Sequence, residues 1–319
     1  MSIESTAHDS SASGAAGQSN AGIHVSVCVC TYKRPQPLRR LLAALAAQKT
    51  GGRFTYSVVI ADNDHAESAR SVVAEFAAAA PVRVAYDVEP RQNIALARNK
   101  AVEHASGEYL AFVDDDEEPL PEWLDRLVEA MALYRADGVL GPVIPRFAEP
   151  PPQWIVRGRL FERPSPPTGT WLQWWDTRTS NVLLRRRIFD DPANRFHPEY
   201  RRRGEDTNFF RRMIDRGMRF VWCAEACVYE IVPAERCRRS YLLKRALLRG
   251  TAPHNQGWPV LVSLVAVPTY AVALPVLLLA GQHVFMRYLI KECDHLGRLL
   301  AFVAPNRMQR LELPGRASV

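Results

Sequence analysis

Residues 109–124, YLAFVDDDEEPLPEWL, run an apolar stretch into five consecutive acids, Asp114 to Glu118, ahead of a proline. A single aspartate at such a place is ordinarily a helix cap or a turn former. Three side by side are different, because like charges repel and each raises the proton affinity of the next. That crowding is tolerable where a divalent cation shares the charges. Hard carboxylate oxygens select Mg²⁺ or Mn²⁺ over softer metals. A second acidic pair lies far along the chain in RRRGEDTNFFRRM, residues 201–213, where Gly204 opens a turn and Glu205 and Asp206 occupy the first turn of an amphipathic helix. A carboxylate there either stabilises the helix terminus or takes a proton from a bound hydroxyl, and the local residues allow both.

Both clusters need a scaffold. HVSVCVC (24–30) is a valine-rich apolar run, and residues 37–48 place Leu38, Leu41, Leu42 and Leu45 at helical spacing, so a strand leads into a helix. The unit recurs as YSVVIA (56–61) before a helix over 68–80, VRVAYDV (82–88) before a helix over 94–105, and YLAFV (109–113) before a helix over 121–134. Strands apolar throughout, rather than alternating, predict a doubly wound, mostly parallel α/β sheet with helices on both faces. Ligands of such sheets sit at the carboxyl ends of the strands, where this chain offers TYKRP, DNDH, EPRQN and DDDEE. Neither a Walker lysine loop nor GxGxxG accompanies them, which sets aside a P-loop ATPase and a dinucleotide dehydrogenase. Phosphates would then be held by metal and basic side chains. The stretch from Arg146 to Leu184 is proline-rich and carries Trp154, Trp171, Trp174 and Trp175; it reads as a long ordered loop over a site.

With 319 residues and 47% apolar content, the chain holds enough material for one large domain and an appendage. The net charge of +7 is carried mostly by arginine in the second half and suits an anionic partner as well as a plain solvated surface. Six cysteines form no CxxC pair and no disulfide framework, which points to a reducing compartment; the CxxxC of Cys223 and Cys227 lacks a second pair and reads as packing. Residues 1–22 have neither a basic start nor an apolar core and read as a disordered leader, not a signal peptide. Residues 258–281 carry no charge over 24 positions, long enough for a bilayer of about 30 Å. They read as a spanning or re-entrant segment, with a buried hairpin as the competing reading; Pro259, Pro268 and Pro275 interrupt a straight helix. Residues 284–303 set apolar groups at helical spacing against Arg287, Lys291 and Arg298, as in a helix lying on a membrane surface. The chain thus divides into a leader (1–22), a catalytic-type domain (23–250) and a membrane-associated helical region (251–319).

The ordered set VSVCVCTYKRPQPLRRLL, VVIADND, NIALARNKAVEHASGEYLAFVDDDEEP and GEDTNFFRRMIDRG resembles glycosyltransferase family 2, in particular bacterial members that build exopolysaccharide repeat units, over roughly residues 24–250. The resemblance implies a GT-A fold and inverting transfer from a nucleotide-sugar donor, with a divalent cation (Mn²⁺ or Mg²⁺) on a DxD-like motif. Carried across by position, it implies base recognition by Thr31, Tyr32 and Asp62, and Arg98 near the nucleotide. Asp114 would face the ribose and metal, Asp116 would touch the metal, and the extra acid Asp115 leaves the assignment within the triplet open. Asp206 would be the general base with Glu205 its neighbour, and Asn181 would orient the donor sugar. Arg236, Arg245 and Arg249 would either reach the diphosphate or line the membrane. The family's QxxRW motif is absent, which favours addition of a single sugar. The implied acceptor is a lipid-linked saccharide at the cell membrane, with tryptophans of the long loop suited to its apolar face. The catalytic domain would face the cytoplasm, with no nucleic acid as partner. Transfer to a polyprenyl phosphate, or a non-catalytic scaffold role in polysaccharide assembly, are the alternatives.

Overall fold

The valine-rich first run forms the central strand β1 (His24–Thr31), buried along nearly its whole length. The computed structural model describes residues 22–200, 204–251 and 258–304; of the expected leader only Gly22 falls among them, and residues 305–319 of the C-terminal region lie outside. The expected β-α units follow in order: α1 (Pro35–Ala46), β2 (Thr55–Asp62), α2 (Arg70–Ala79), β3 (Val84–Val88), α3 (Ile94–His104) and β4 (Tyr109–Phe112). Then come β5 (Glu117–Pro119), α4 (Trp123–Tyr134), β6 (Gly138–Leu140), β7 (Val143–Phe147), α5 (Gln153–Gly158), β8 (Val182–Arg185), α6 (Glu205–Asp215), β9 (Phe220–Trp222) and β10 (Val228–Val232). Three further helices, α7 (Arg239–Gly250), α8 (Trp258–Leu279) and α9 (Gln282–Val303), end the described chain.

The main sheet has seven strands in the order β3-β2-β1-β4-β8-β6-β9. Its pairings are parallel except that β8 runs antiparallel between β4 and β6. A smaller sheet, β5-β10-β7, stands beside it. Strand residues alternate between two apolar layers. Val25, Val27, Val58 and Ile60 pack under α1, α2 and α4, while Cys28, Val59, Leu110 and Phe112 pack under α3 and α6. This burial on both faces is the physical reason the strands read as unbroken apolar runs.

One polar knot crosses this architecture. Asn181, just before β8, is fully buried in the left-handed region at φ 53°. Its Oδ1 accepts from the indole Nε1 of Trp123 at 2.7 Å, and its Nδ2 donates to the carbonyls of Pro142 at 2.9 Å and Ala226 at 2.7 Å. Gly141 makes room for it, because a Cβ there would collide with the Ala226 carbonyl. The knot ties the start of α4, the β6–β7 link and the approach to β10 to one side chain. Replacing Asn181 with Ala strands the indole N–H and two carbonyls in the core and should lower the unfolding free energy by about 3 kcal/mol, read by urea titration.

Candidate active site

The carboxyl ends of β1 and β4 converge where the acidic run begins. Of its members, Asp115 is 1% exposed while the Asp114 side chain is 47% exposed. Thr31 at the end of β1 is fully buried and donates its hydroxyl to Asp115 Oδ2 at 2.8 Å. Arg34 approaches from the loop before α1, donating to Asp115 Oδ1 at 2.5 Å and to Asp116 Oδ2 at 2.8 Å. Arg236 adds a second guanidinium, 3.1 Å from Asp116 Oδ2 and 2.7 Å from Glu230 Oε1. Arg163 closes the row on Glu230 Oε2 at 2.7 Å. The repulsion that the sequence poses is therefore met, within the chain, by arginines.

Arg98 joins this edge to the second acidic pair. The N-terminus of α3 is capped by Asn93, whose Oδ1 accepts from Ala95 N at 3.0 Å. The same side chain donates to the Pro198 carbonyl at 2.8 Å, and Asn99 exchanges two bonds with the backbone of Phe196 at 2.8 and 2.9 Å. These contacts pin the segment leading toward α6 against α3. Arg98, on that helix, pairs with Glu205 Oε1 and lies 4.0 Å from Asp114 Oδ1. Its guanidinium also sits 5.7 Å from the Phe196 ring centroid. Burial pulls the Arg98 proton affinity down, but Glu205, Asp114 and Asp206 together hold it above its ordinary value.

Helix α6 starts from Gly204, at φ 84°. Gly204 takes the N-cap position, so Asp206 stands inside the first turn and is not the cap. Asp206 is half-buried, its Oδ1 accepting from Thr207 N at 2.7 Å. Glu205 is buried and its Oε2 has no hydrogen-bond partner among the described residues. Burial raises its carboxyl above the usual range, against the pull of Arg98. Glu117, which accepts from Asp114 N at 3.1 Å, is likewise held well above that range by burial and by Asp114 and Asp116. Burial pushes Asp115 up to about 7, opposed by Arg34.

The structure gathers Thr31, Arg98, Asp114, Asp116, Glu205 and Asp206 into one region. Other expected site residues also have structural work of their own, and Asp62 lies opposite Thr31 in the β1–β2 register. Asp62 is fully buried and organises its own loop, accepting from Ala69 N, Asp64 N and the Tyr86 hydroxyl at 2.9, 3.0 and 3.0 Å. Asn181 is committed to the knot described above, with both amide hydrogens engaged inside the fold. Tyr32 remains partly exposed under Lys33, 5.1 Å from its ring centroid. Arg236 serves the acidic edge, and Arg249 pairs with Asp294 of α9 at 2.8 Å. Arg245 borders a pocket with Arg163 and Glu230. Of the tryptophans, Trp174 contacts α6 through Arg211, 5.5 Å from its ring, and Trp175 is 64% exposed beside it. Trp154 and Trp171 pack under Arg239 and Arg219.

Arg34, Glu117 and Arg178 are members that the sequence reading did not single out. Arg178 is half-buried and pushed down to about 10, first by burial and then by Arg163, against Glu117 and Asp206. Arg34 had a signal, since it stands directly before the proline that opens α1. Arg178 had none, because a lone arginine in an irregular loop carries no periodicity.

The donor set suits a shared cation rather than a protein-made cage. Among the described residues no group of three or more His, Cys, Asp or Glu is placed to hold a metal ion. Asp114 and Asp116, with one residue between them, offer two hard carboxylates, the number Mg²⁺ ordinarily takes from protein when phosphate and water complete its shell.

Comparison with known proteins agrees with this architecture. The model for Glycosyl transferase family 2 matches residues 26–198. The chain is 36% identical over 235 residues to succinoglycan biosynthesis protein ExoM of Rhizobium meliloti, covering 72% of this chain and 74% of that protein. It is also 28% identical over 118 residues to chondroitin synthase of Escherichia coli, 37% of this chain and 17% of the other. Among solved structures it is similar to S. aureus TarS 1-349 in complex with UDP-GlcNAc, at a TM-score of 0.51 and 19% identity, covering 66% of this chain and 59% of that one. Another structure of S. aureus TarS 1-349 gives 0.50 at 16% identity, covering 89% of this chain and 92% of that one. At these identities the structural likeness speaks for the fold.

Two outcomes are expected. Arg98→Met leaves Glu205 buried without its cation and should cost about 3–5 kcal/mol of stability, most of it returned by the double change Arg98→Met with Glu205→Leu, as read by urea unfolding. For Asp115, the folded-state pKa lies above the unfolded value, so the folded protein holds the proton more tightly and loses stability as pH rises toward and through about 7. Unfolding free energy should fall between pH 5 and 8 by at most about 1.4 kcal/mol per pH unit for each such proton. Asp115→Asn should flatten that slope.

Proposed function

The chain belongs to glycosyltransferase family 2, and from that premise we propose that it transfers a sugar, with inversion, from a nucleotide-sugar donor to a lipid-linked saccharide during assembly of a polysaccharide. The observation that carries this reading is the position of Arg98, which touches Glu205 and lies 4.0 Å from Asp114. One buried side chain thus sets the distance between the acidic strand edge and the residue next to Asp206.

Inverting transfer needs charge relief on the departing diphosphate and a proton acceptor on the opposite face of the sugar. Asp206 suits the second role. It takes the proton of the acceptor hydroxyl as that oxygen bonds to the anomeric carbon, while the bond to the diphosphate breaks and its electron pair leaves with the phosphate oxygen. Glu205 does not compete for that proton transfer, since it is buried and held by Arg98. Arg34 and Arg236 bring positive charge to the side where the diphosphate would sit, with Tyr32 open at the β1 end for the base. Asp114 and Asp116 would hold a Mg²⁺ or Mn²⁺ ion, which when bound neutralises charge on the diphosphate. Trp174 and Trp175, beside α6, suit the apolar face of the acceptor saccharide.

The donor class follows the family, and the polysaccharide role follows the similarity to the succinoglycan biosynthesis protein ExoM. A lipid-linked acceptor is supported by α8, whose Val260–Leu279 stretch is long and apolar enough to cross a membrane. Nucleotide sugars are cytosolic, which sets the catalytic domain on the cytoplasmic side.

The test is a donor panel. The purified chain, with Mn²⁺ or Mg²⁺, is incubated with different nucleotide sugars and nucleoside diphosphate release is followed. One donor should be turned over, and Asp206→Asn should reduce turnover by about 10²- to 10⁴-fold while donor binding persists. Loss of binding in that variant, or release from no donor with either metal, defeats the assignment.

A further inference from the structure

The C-terminal hairpin is held in a way that decides how an apolar helix of spanning length meets a bilayer. Helices α8 and α9 run antiparallel through Gly281, at φ 115°. Ser263 bonds His295 Nδ1 at 2.9 Å, and Tyr270 packs 5.9 Å from Tyr288 and 5.7 Å from His295. The two helices therefore lie side by side along their length.

Helix α9 is in turn fastened lengthwise to the catalytic domain. Near its start, Gly158 of α5 lets the backbone approach the His283 carbonyl. In its middle, Ile290 packs on Tyr241, Leu242 and Leu248 of α7. Further on, Gly297 meets the Leu247 carbonyl and Gly250 meets the Asp294 carbonyl, each so closely that a Cβ would collide. Arg249 pairs with Asp294 at the same place. From residue 283 to 297 this is about 21 Å of helix laid flat on the domain.

A membrane-crossing α8 would take α9 with it. That would place Arg287, Lys291, Glu292, Asp294, His295 and Arg298 in hydrocarbon, and α7 beside them. Charged side chains at bilayer depth are strongly disfavoured. Yet α8 is not a core helix, for only 17% of its apolar stretch is buried. Val265, Val272, Val276 and Leu279 are 70%, 78%, 67% and 88% exposed. Beside the seam, Arg287 and Lys291 are exposed on α9, with Lys291 Nζ 5.0 Å from the centroid of the same Tyr288 that packs on α8.

We propose that α8 is an in-plane anchor: it lies along one leaflet of an anionic bilayer with its exposed apolar sides among the acyl chains and Arg287 and Lys291 at the headgroups, and it does not cross. The partner is the lipid surface because the exposed residues of α8 are apolar apart from Thr269, whose hydroxyl bonds back to the Val265 carbonyl, and the exposed charges beside it on α9, Arg287 and Lys291, are basic and complementary to anionic lipid. This placement stands independently of the catalytic reading.

Site-directed spin labels test it in the full chain, on vesicles of phosphatidylcholine and phosphatidylglycerol. Val265→Cys, Val272→Cys and Leu279→Cys are made one at a time, with the partly exposed Cys227 and Cys293 replaced by Ser and Ala, and folding is checked by circular dichroism. Oxygen and nickel accessibilities should report one common depth at all three sites. A graded profile, deepest at Val272 and emerging at the far leaflet by Leu279, would show a span and overturn the proposal. So would labels that are unaffected by vesicles, the result if a second copy or another protein covers α8. Separately, Arg287→Gln with Lys291→Gln should weaken partition onto anionic vesicles by about 30-fold and leave neutral vesicles unaffected; unchanged partition onto the anionic vesicles would overturn the headgroup contact.

Discussion

A single buried guanidinium organises the site. Arg98 is about a tenth exposed, and its charge is balanced by a carboxylate from a helix more than a hundred residues further along the chain. In a low-dielectric setting neither partner is tolerable alone, so the pair forces α3 and α6 into a fixed relation. The segment that precedes α6 is tied to α3 by hydrogen bonds from Asn93 and Asn99 to the 196–198 backbone, and Phe196 of that segment stacks on Phe209 of α6 at 4.5 Å. What they position is the acidic first turn of α6 opposite the end of β4.

The acidic edge shows how a fold tolerates charge at high density. Asp115, Asp116 and Glu230 do not face one another bare; Arg34, Arg236 and Arg163 are threaded between them in an alternating row. Arg34 and Arg236 each bridge two different carboxylates, so Asp115, Asp116 and Glu230 all face a guanidinium.

Much of this was legible before any coordinates. The four β-α units were readable because strands buried on both faces lose alternation and become continuous apolar runs, as in HVSVCVC and YSVVIA. Asp114 to Asp116, Glu205 and Asp206 stood out because like charges in sequence need a reason. The small sheet was not legible: β5 and β7 are short, Glu117 and Pro145 interrupt them, and their partner β10 is some eighty residues or more away in sequence. The roles of Arg34 and Arg236 were hidden for the same reason, since a salt bridge across 82 or 120 residues leaves no local pattern. The resemblance assigns Asn181 to the donor sugar, whereas its side-chain hydrogen bonds lie in the core. Nothing in TSNVLL indicates that its amide would meet an indole from α4. For 258–281, length and apolarity matched a membrane span, and only the packing of α9 on α7 distinguishes lying from crossing.

Asn181 also bears on how natural variation in relatives should be interpreted. Glycine satisfies the left-handed backbone but brings no polar atoms. Aspartate can accept from the Trp123 indole but has no hydrogens for the carbonyls of Pro142 and Ala226, and a β-branched residue fails on both counts. Asparagine is the amino acid that meets every demand of the position. An unvarying column there would therefore record the architecture of the core, and would be mistaken for substrate contact by anyone ranking residues on invariance.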